Sequence, residues 1–469
     1  MPIRKKNLSQ SGNESTRAAL IFTLLLIASS LLKADDWPTY RHDNARSGVT
    51  EETIAAPLAL AWSHHSPQLP RPAWPPPAKA DFWHHISNPA PRVTYDRAFQ
   101  PVIAGNNLFY GSSADDQIRC LDVTSGHVLW TCYTDGPVRL APAVYMGRLY
   151  AGSDDGYIYC IEITVGKVVW KVRICKSQRK IPGNGRLISV SPVRTGLVVD
   201  GGAVYGCAGI FPEAGVALCA LKTDDGATIW NKPLMDISPQ GYMLASQTKL
   251  YAPTGRANPV VFDMGDGSFL GALGGPAGAF ALLTGDSVAF GPGSTGEIGM
   301  ADPETNETIA TFEGLRMVVR ERMSYLQTET AIIAVDRIHR LEQARRLNEL
   351  RKSQEQISQK LKGGVGPAEA INLTAKLNSL KGTAAKVEAG MKQSVMWNIP
   401  CSHNNELIMA GELLFAGGDG EVAAYSAKDG SLVWKGPAEG RAYGLTVASG
   451  RLFVSTDQGV IHCYRPEKK

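Results

Sequence analysis

Between Ala141 and Arg173 the chain reads APAVYMGRLYAGSDDGYIYCIEITVGKVVWKVR, four short apolar runs parted by Gly or Asp-Gly. The runs AVYM, RLYAGS, YIYCIE and KVVWKV predict four strands, and Asp155-Gly156 predicts one of the tight turns between them. A sheet with apolar residues on both faces cannot stand alone in water. It needs like sheets on either side, which is the physical logic of a propeller blade. In the last strand Glu162, Gly166 and Trp170 fall at steps of four. The frame occurs one unit earlier as Asp122, Gly126 and Trp130, and later as Gly226 before Trp230 and Gly430 before Trp434.

Counting this frame along the chain predicts eight units. Unit one covers 101–133 and unit two is the stretch above. Unit three, 192–234, follows a connector, SQRKIPGNGRLISVS. Unit four, 241–275, keeps Asp263 and Gly267 but has Gly271 where Trp is due, and unit five, 280–314, is degenerate around Asp302 and Asn306. Without Trp these two units should form the looser side. Unit six has a clean third strand, Tyr325 to Asp336, and a fourth ending at Trp397, with residues 337–393 inserted between them. In that insert Leu373, Leu377, Leu380, Ala384, Val387 and Met391 step by four and three, a coiled-coil-like seam, while Gly363, Gly364 and Pro367 stop one helix and start another. An antiparallel helical hairpin projecting from a blade's turn is expected. Unit seven, 406–435, is regular. Unit eight, 441–464, ends after three strands, and LALAWSHH, Leu58 to His65 with Trp62, is a fourth strand without a unit. Pairing the two removes both sheet edges. The expected fold is therefore all-β: an eight-bladed β-propeller of four-stranded antiparallel blades with an inserted α-helical hairpin.

The segments follow from this: 1–34 a signal peptide, 35–57 a polar lead-in, 58–65 the closing strand, and 66–98 a Pro-rich insertion. Blades one to six take 99–336, the hairpin 337–393, and the remaining blades 394–469. Arg4, Lys5 and Lys6 precede about fifteen mostly apolar residues, which fits a secretory signal and falls short of the ~20 residues a spanning helix needs. Export to the periplasm or cell envelope is expected, with no membrane span after cleavage near Ala34; an uncleaved anchor is the rival. The Pro-rich insertion carries Trp74, Phe82 and Trp83 and should lie across one face.

Length, charge and cysteines narrow the picture. The 469 residues with 48 glycines suit one large domain with a turn every few residues. A net charge of +4 without a basic, aromatic-studded stripe excludes a nucleic-acid partner. Eight cysteines in an exported chain invite disulfides. However, Cys120, Cys160 and Cys463 occupy a unit position filled elsewhere by Ala220, Ala334 and Ala424, so a small buried residue is what that position requires. The pairing of Cys132, Cys175, Cys207 and Cys401 is left open.

The frame GYIYCIEITVGKVVW and its copies resemble the repeat of the pyrroloquinoline-quinone-like β-propellers. With DWPTYRHDNARSG in front, the chain is similar to the secreted members likened to the outer-membrane assembly factor. The resemblance spans nearly all of 58–464 outside the Pro-rich segment and the hairpin. It implies the fold, and it leaves function between two classes. One is a non-catalytic binding or assembly scaffold, probed by a pull-down from the envelope. The other is a quinoprotein dehydrogenase, which in this family holds its quinone between a Trp floor and two adjacent, disulfide-linked cysteines beside a calcium. The chain has no Cys-Cys pair and no CxxCH for a haem. No cofactor is therefore expected.

Candidate chemistry is sparse. Trp62, Trp130, Trp170, Trp230, Trp397 and Trp434 are assigned to blade packing. The adjacent pairs His64-His65 and His84-His85 lack the spacing zinc favours, and the acidic turns at Asp154-Asp155 and Asp419-Gly420 read as hairpins. His42 stands beside Asp43 with no Ser or Cys nucleophile assigned to them. The binding candidates are arginines: Arg139 before APAV and Arg441 before AYGLTV at matching points, Arg186 and Arg194 flanking unit three, and Arg256 in a turn of unit four. Gathered at one mouth, they would hold an anionic ligand or an acidic partner tail on a monomeric propeller.

Overall fold

The computed structural model describes residues 35–74, 93–183, 185–255, 257–293 and 295–467. The expected signal peptide, the middle of the Pro-rich insertion with Phe82, Trp83, His84 and His85, and Arg256 lie outside the described residues. The fold is all-β apart from one pair of long helices and is consistent with a β-propeller. Among the described residues no helix is long and apolar enough to cross a membrane.

Six four-stranded sheets follow one another along the chain, each with its strands paired in sequence order. Sheet 1 is built from Val102–Ala104, Asn107–Gly111, Gln117–Asp122 and Val128–Tyr133, and sheet 2 from Ala143–Tyr145, Arg148–Gly152, Tyr157–Glu162 and Val168–Arg173. Sheets 3 to 6 begin at Val198, Leu244, Phe280 and Arg316. Units seven and eight share one eight-stranded sheet because the 17-residue strand Leu432–Ala448 runs unbroken through both. At its edge Leu58–His65 pairs antiparallel with Val460–Pro466, from Leu58 opposite Pro466 to His65 opposite Val460. The connector before unit three forms a small ladder of its own, Lys180–Gly183 with Arg186–Ser189.

The register explains the Cys-or-Ala position. Cys120 lies opposite Trp130, Cys160 opposite Trp170, Ala220 opposite Trp230, Ala334 opposite Trp397, Ala424 opposite Trp434 and Cys463 opposite Trp62. A side chain larger than a thiol there would collide with the indole. All eight cysteines are free thiols.

Each indole then reaches into the next sheet. A Cβ placed on Gly126 would lie 2.6 Å from Trp62, one on Gly166 2.5 Å from Trp130, and one on Gly226 2.9 Å from Trp170. Gly267 stands in the same way against Trp230, and Gly430 against Trp397. The indole N–H donates to a carbonyl of that neighbouring sheet's turn: Trp62 to Val123, Trp130 to Ile163, Trp170 to Thr223 and Trp397 to Ala427. Trp434 donates to Leu58, on the strand at the edge of that sheet. This is why glycine and tryptophan recur together: the turn glycines have positive φ, 70° at Gly166, and also make room for the ring.

The staple is missing where the sequence lacks Trp. Gly271 and Ala310 occupy its register, opposite Val261 and Met300. Between sheets 5 and 6 the inserted helices supply a substitute. Helix α1, Arg337–Lys362, is capped by Asp336, whose carboxylate accepts from the His339 N–H, and α2 is Pro367–Met391. Leu341 and Ala344 of α1 join the cluster that contains Ile309, Ala310 and Phe312, and Asn348 donates to the Ile309 carbonyl. The base of the insert is thus part of the core, where a purely projecting hairpin was expected. Further out, Leu347 meets Ala384 and Val387 of α2, with Met391 packed alongside.

Candidate functional site

The lead-in is the element that the sequence pattern leaves without a role. It has no strand period because it hydrogen-bonds to one sheet after another. Trp37 pairs with Ile103, the Val144 N–H donates to Pro38, Ala245 to Asn44, Leu283 to Ala45 and Met409 to Gly48. Every one of these partners lies on the first strand of its unit. Two buried arginines complete the plug. Arg46 donates to the carbonyls of Met243, Leu197, Tyr40 and Asp43 and to Thr39 Oγ1. Burial lowers its pKa to about 10, against the opposing charge of nearby Asp43. Arg41 donates to the Met317 and Leu407 carbonyls and forms a buried ion pair with Glu406. Arg41, His42 and Arg46 hold left-handed φ of 53°, 79° and 58°, strain that this bonding holds in place. His42 sits 3.0 Å from Asp35 and 3.7 Å from Asp43.

Above the plug opens a cavity of about 380 Å³. Tyr40 of the lead-in lines it and stacks on Tyr242 with ring centres 3.5 Å apart. Burial raises the Tyr40 hydroxyl to about 12, so it stays protonated. Phe280, Arg316, Asn404, Asn405, Glu406 and Tyr443 contribute from sheets 5 and 6 and units seven and eight, while Thr94, Tyr95 and Arg97 come from the end of the Pro-rich insertion and Gln100 follows it. Sequential antiparallel pairing puts the sheet-to-sheet linkers at one end of the fold and the third-to-fourth connections at the other. The cavity therefore opens at the linker end, and α1 and α2 leave from the opposite end. The Arg41 and Arg316 guanidiniums lie 5.2 and 5.6 Å from the Phe280 ring centre, and Arg316 approaches the second Glu406 oxygen at 3.6 Å.

The candidate arginines divide. Arg139 and Arg194 meet on one carboxylate, Asp154, at 2.6 and 3.0 Å, all three buried. Arg139 also binds Asp96 at 3.1 Å and the Arg71 carbonyl, and Arg194 lies over the Trp74 ring, so the pair ties the Pro-rich insertion to sheet 2. Burial alone would push the Asp154 carboxyl up, but Arg194 and Arg139 together hold it below the usual range. Asp96 is pushed up by burial, because only one of its partners is a bonded guanidinium. Arg186 bridges to Asp116 at 2.7 Å and to the Ala114 carbonyl. Arg441 is exposed and 3.4 Å from Asp419. Arg256 lies outside the described residues.

The matching of Arg139 with Arg441 needs correction. The N–H groups of Val138, Val193 and Ala442 make the same bond, to Ser112, Ser153 and Gly418, each in the preceding unit. The following residues, Arg139, Arg194 and Tyr443, are therefore equivalent, and Arg441 corresponds to Pro137 and Pro192. A one-residue offset reverses side-chain direction along an extended strand. Arg97 and Arg316, which do line the cavity, escaped sequence reading because neither belongs to the repeat frame. Elsewhere His64 contacts Tyr110 and His65 contacts Glu439. Among the described residues no three His, Cys, Asp or Glu side chains are grouped to hold a metal ion.

Comparison with known proteins agrees with this architecture. The family model described as "Outer membrane protein assembly factor BamB" matches residues 76–236, 114–274 and 383–468. No curated protein matches. The quinohemoprotein alcohol dehydrogenase ADHIIG from Pseudomonas putida HK5 has 12% identity and a TM-score of 0.60 over 93% of this chain and 81% of its own. The quinohemoprotein alcohol dehydrogenase from Comamonas testosteroni has 14% and 0.59 over 92% and 82%. The computationally designed Ika8 protein has 11% and 0.55 over 80% and 97%. At such identities the structural likeness is one of fold. The repeat frame, the stacked sheets and a family match over more than half of its length place this chain in the family of the outer membrane protein assembly factor BamB.

Proposed function

We propose that this chain is an exported, non-catalytic scaffold of the cell envelope. On this reading it is an eight-bladed ring, closed by Leu58–His65, that binds a protein or an anionic ligand at its funnel. The observation that carries the reading is the plugged axis. The first strands of the sheets converge on the chain's own lead-in, and the innermost carboxylate of the funnel, Glu406, is occupied by Arg41 and approached by Arg316. A carboxylate held between guanidiniums is a poor general base and a poor cation ligand. The described lining also supplies no Trp floor and no thiol pair, so it does not fit the quinone site that the resemblance implies. The family description, an assembly factor, points the same way.

Two measurements test this. Purified protein incubated with pyrroloquinoline quinone and Ca²⁺ should not reduce a redox dye with alcohols or sugars; turnover above the free quinone would reinstate the dehydrogenase alternative. A photo-crosslinking residue in place of Asn404, at the funnel, should trap an envelope protein in living cells. The same residue in place of Met146, at the opposite end, should not.

A further inference from the structure

The funnel is blind, and this restricts what enters it. Tyr40 closes it from the side of the lead-in, so a polypeptide enters by an end and does not pass through. At about 380 Å³ it is in the range of small-ligand pockets, ~300–1,000 Å³, with room for the last few residues of an extended chain. Its surplus is in hydrogen-bond donors. Arg97 has no hydrogen-bond or ion-pair partner among the described residues, and its guanidinium rests 5.3 Å from the Tyr443 ring centre. Arg316 spends one nitrogen on the Leu315 carbonyl, and its buried Nε faces Glu406 at 3.6 Å without a hydrogen bond. The Tyr95 hydroxyl is likewise buried and unpaired. On the acceptor side Glu406 is already engaged by Arg41 and faced by Arg316, and Glu329 is exposed.

A blind site whose cationic side chains keep hydrogen-bond donors to spare discriminates between the two ends of a polypeptide. An ammonium end would meet Arg97 and Arg316 and be repelled, whereas a carboxylate end accepts two or more charge-assisted bonds. We propose that the funnel holds the C-terminal carboxylate of an extended polypeptide, clamped by Arg97 and Arg316 beside the Tyr443 and Phe280 rings. This rests on the funnel being a binding site, and it adds which part of a partner is bound.

The test uses the whole protein and a pool of N-terminally fluorescein-labelled pentapeptides, made once with free C-terminal carboxylates and once amidated. Fluorescence anisotropy should show the acid pool bound, the amidated pool at least about ten-fold weaker, and the acid pool weakened as salt rises. Arg97→Gln and Arg316→Gln should each lower affinity about ten-fold or more, and Arg97→Lys less. Arg97→Gln should leave the melting temperature unchanged, because Arg97 makes no hydrogen bond among the described residues. Equal binding of the two pools, or binding of neither up to about 1 mM peptide, would overturn the proposal. If the cross-link from position 404 persisted in that case, the scaffold reading would stand without the carboxylate clamp. Dye reduction with quinone would remove the scaffold reading itself.

Discussion

Gly166 and Trp130 show how a single turn residue couples two sheets. Gly166 has φ of 70°, and a Cβ there would lie 2.5 Å from the indole. Gly147 has a similar φ, 73°, with nothing within 4 Å of its Cβ position. Gly147→Ala should therefore cost only the left-handed conformation, about 1–2 kcal/mol. Gly166→Ala adds the displacement of a packed indole, a further ~1–3 kcal/mol. Urea unfolding of the two variants separates the terms, and equal losses would mean that the Trp contact adds nothing. His64 offers a test of a different kind. Burial, with Arg119 nearby, lowers its pKa to about 4, while the unfolded chain keeps about 6.5. Below pH 6.5 the unfolded state takes up a proton that the fold refuses, so stability is full above that pH and declines as pH falls towards 4. His64→Gln should remove this share of the loss. Denaturant midpoints for both proteins between pH 7 and 4 should converge at the acid end, and parallel curves would contradict the assignment.

Helix α1 stands where a tryptophan staple is missing, and this changes what the insert does for the fold. Ala310 in the Trp register leaves Ile309 and Phe312 to be covered by Leu341 and Ala344. Removing 353–378, the outer turns of both helices, and joining the stumps with a short Gly-Ser linker should leave the melting temperature nearly unchanged. Replacing 338–392 entirely should lower stability by several kcal/mol, at roughly 25 cal/mol per Å² of newly exposed apolar surface. Circular dichroism with thermal melts distinguishes the cases, and equal stability of both deletions would return the insert to a mere appendage. The sheets were legible in the sequence because each buries both faces and so repeats Tyr, Val and Ile runs, with Gly and Trp marking the joints. The helices were legible from the seam through Ala384 and Val387. Their packing on sheet 5 was not, since a periodic pattern shows that a face is buried without naming its partner. The lead-in was illegible for a related reason. Its bonds run to the backbone of successive sheets, and such bonds impose no period on its side chains. The rim arginines were legible only as charge, because a shift of one residue decides whether a side chain faces the funnel or solvent.

At the scale of the molecule, two N-terminal elements act on the assembly in different ways. The lead-in joins sheets through their first strands, and Leu58–His65 covers the last sheet's edge at the periphery. A chain beginning at Thr53 keeps the covering strand and loses the plug. A chain beginning at Pro67 loses both. In the first, the N–H groups of Ile103, Val144, Ala245, Leu283 and Met409 lose their acceptors. At about 1 kcal/mol net for each bond, removing all five costs about 5 kcal/mol, before the loss of Arg41 and Arg46 is counted. This chain should melt well below one beginning at Asp35 yet remain monomeric, since the edge of Val460–Pro466 at the periphery stays covered. The second bares the edge of Val460–Pro466 and removes Trp62 from Gly126, so it should aggregate as well as unfold early. Size-exclusion chromatography beside thermal melts tests both expectations. A chain from Thr53 that melts like the longer protein would mean that the centre is held by the sheets alone. A chain from Pro67 that stays monomeric and melts no lower would mean that the closing strand does not close the ring.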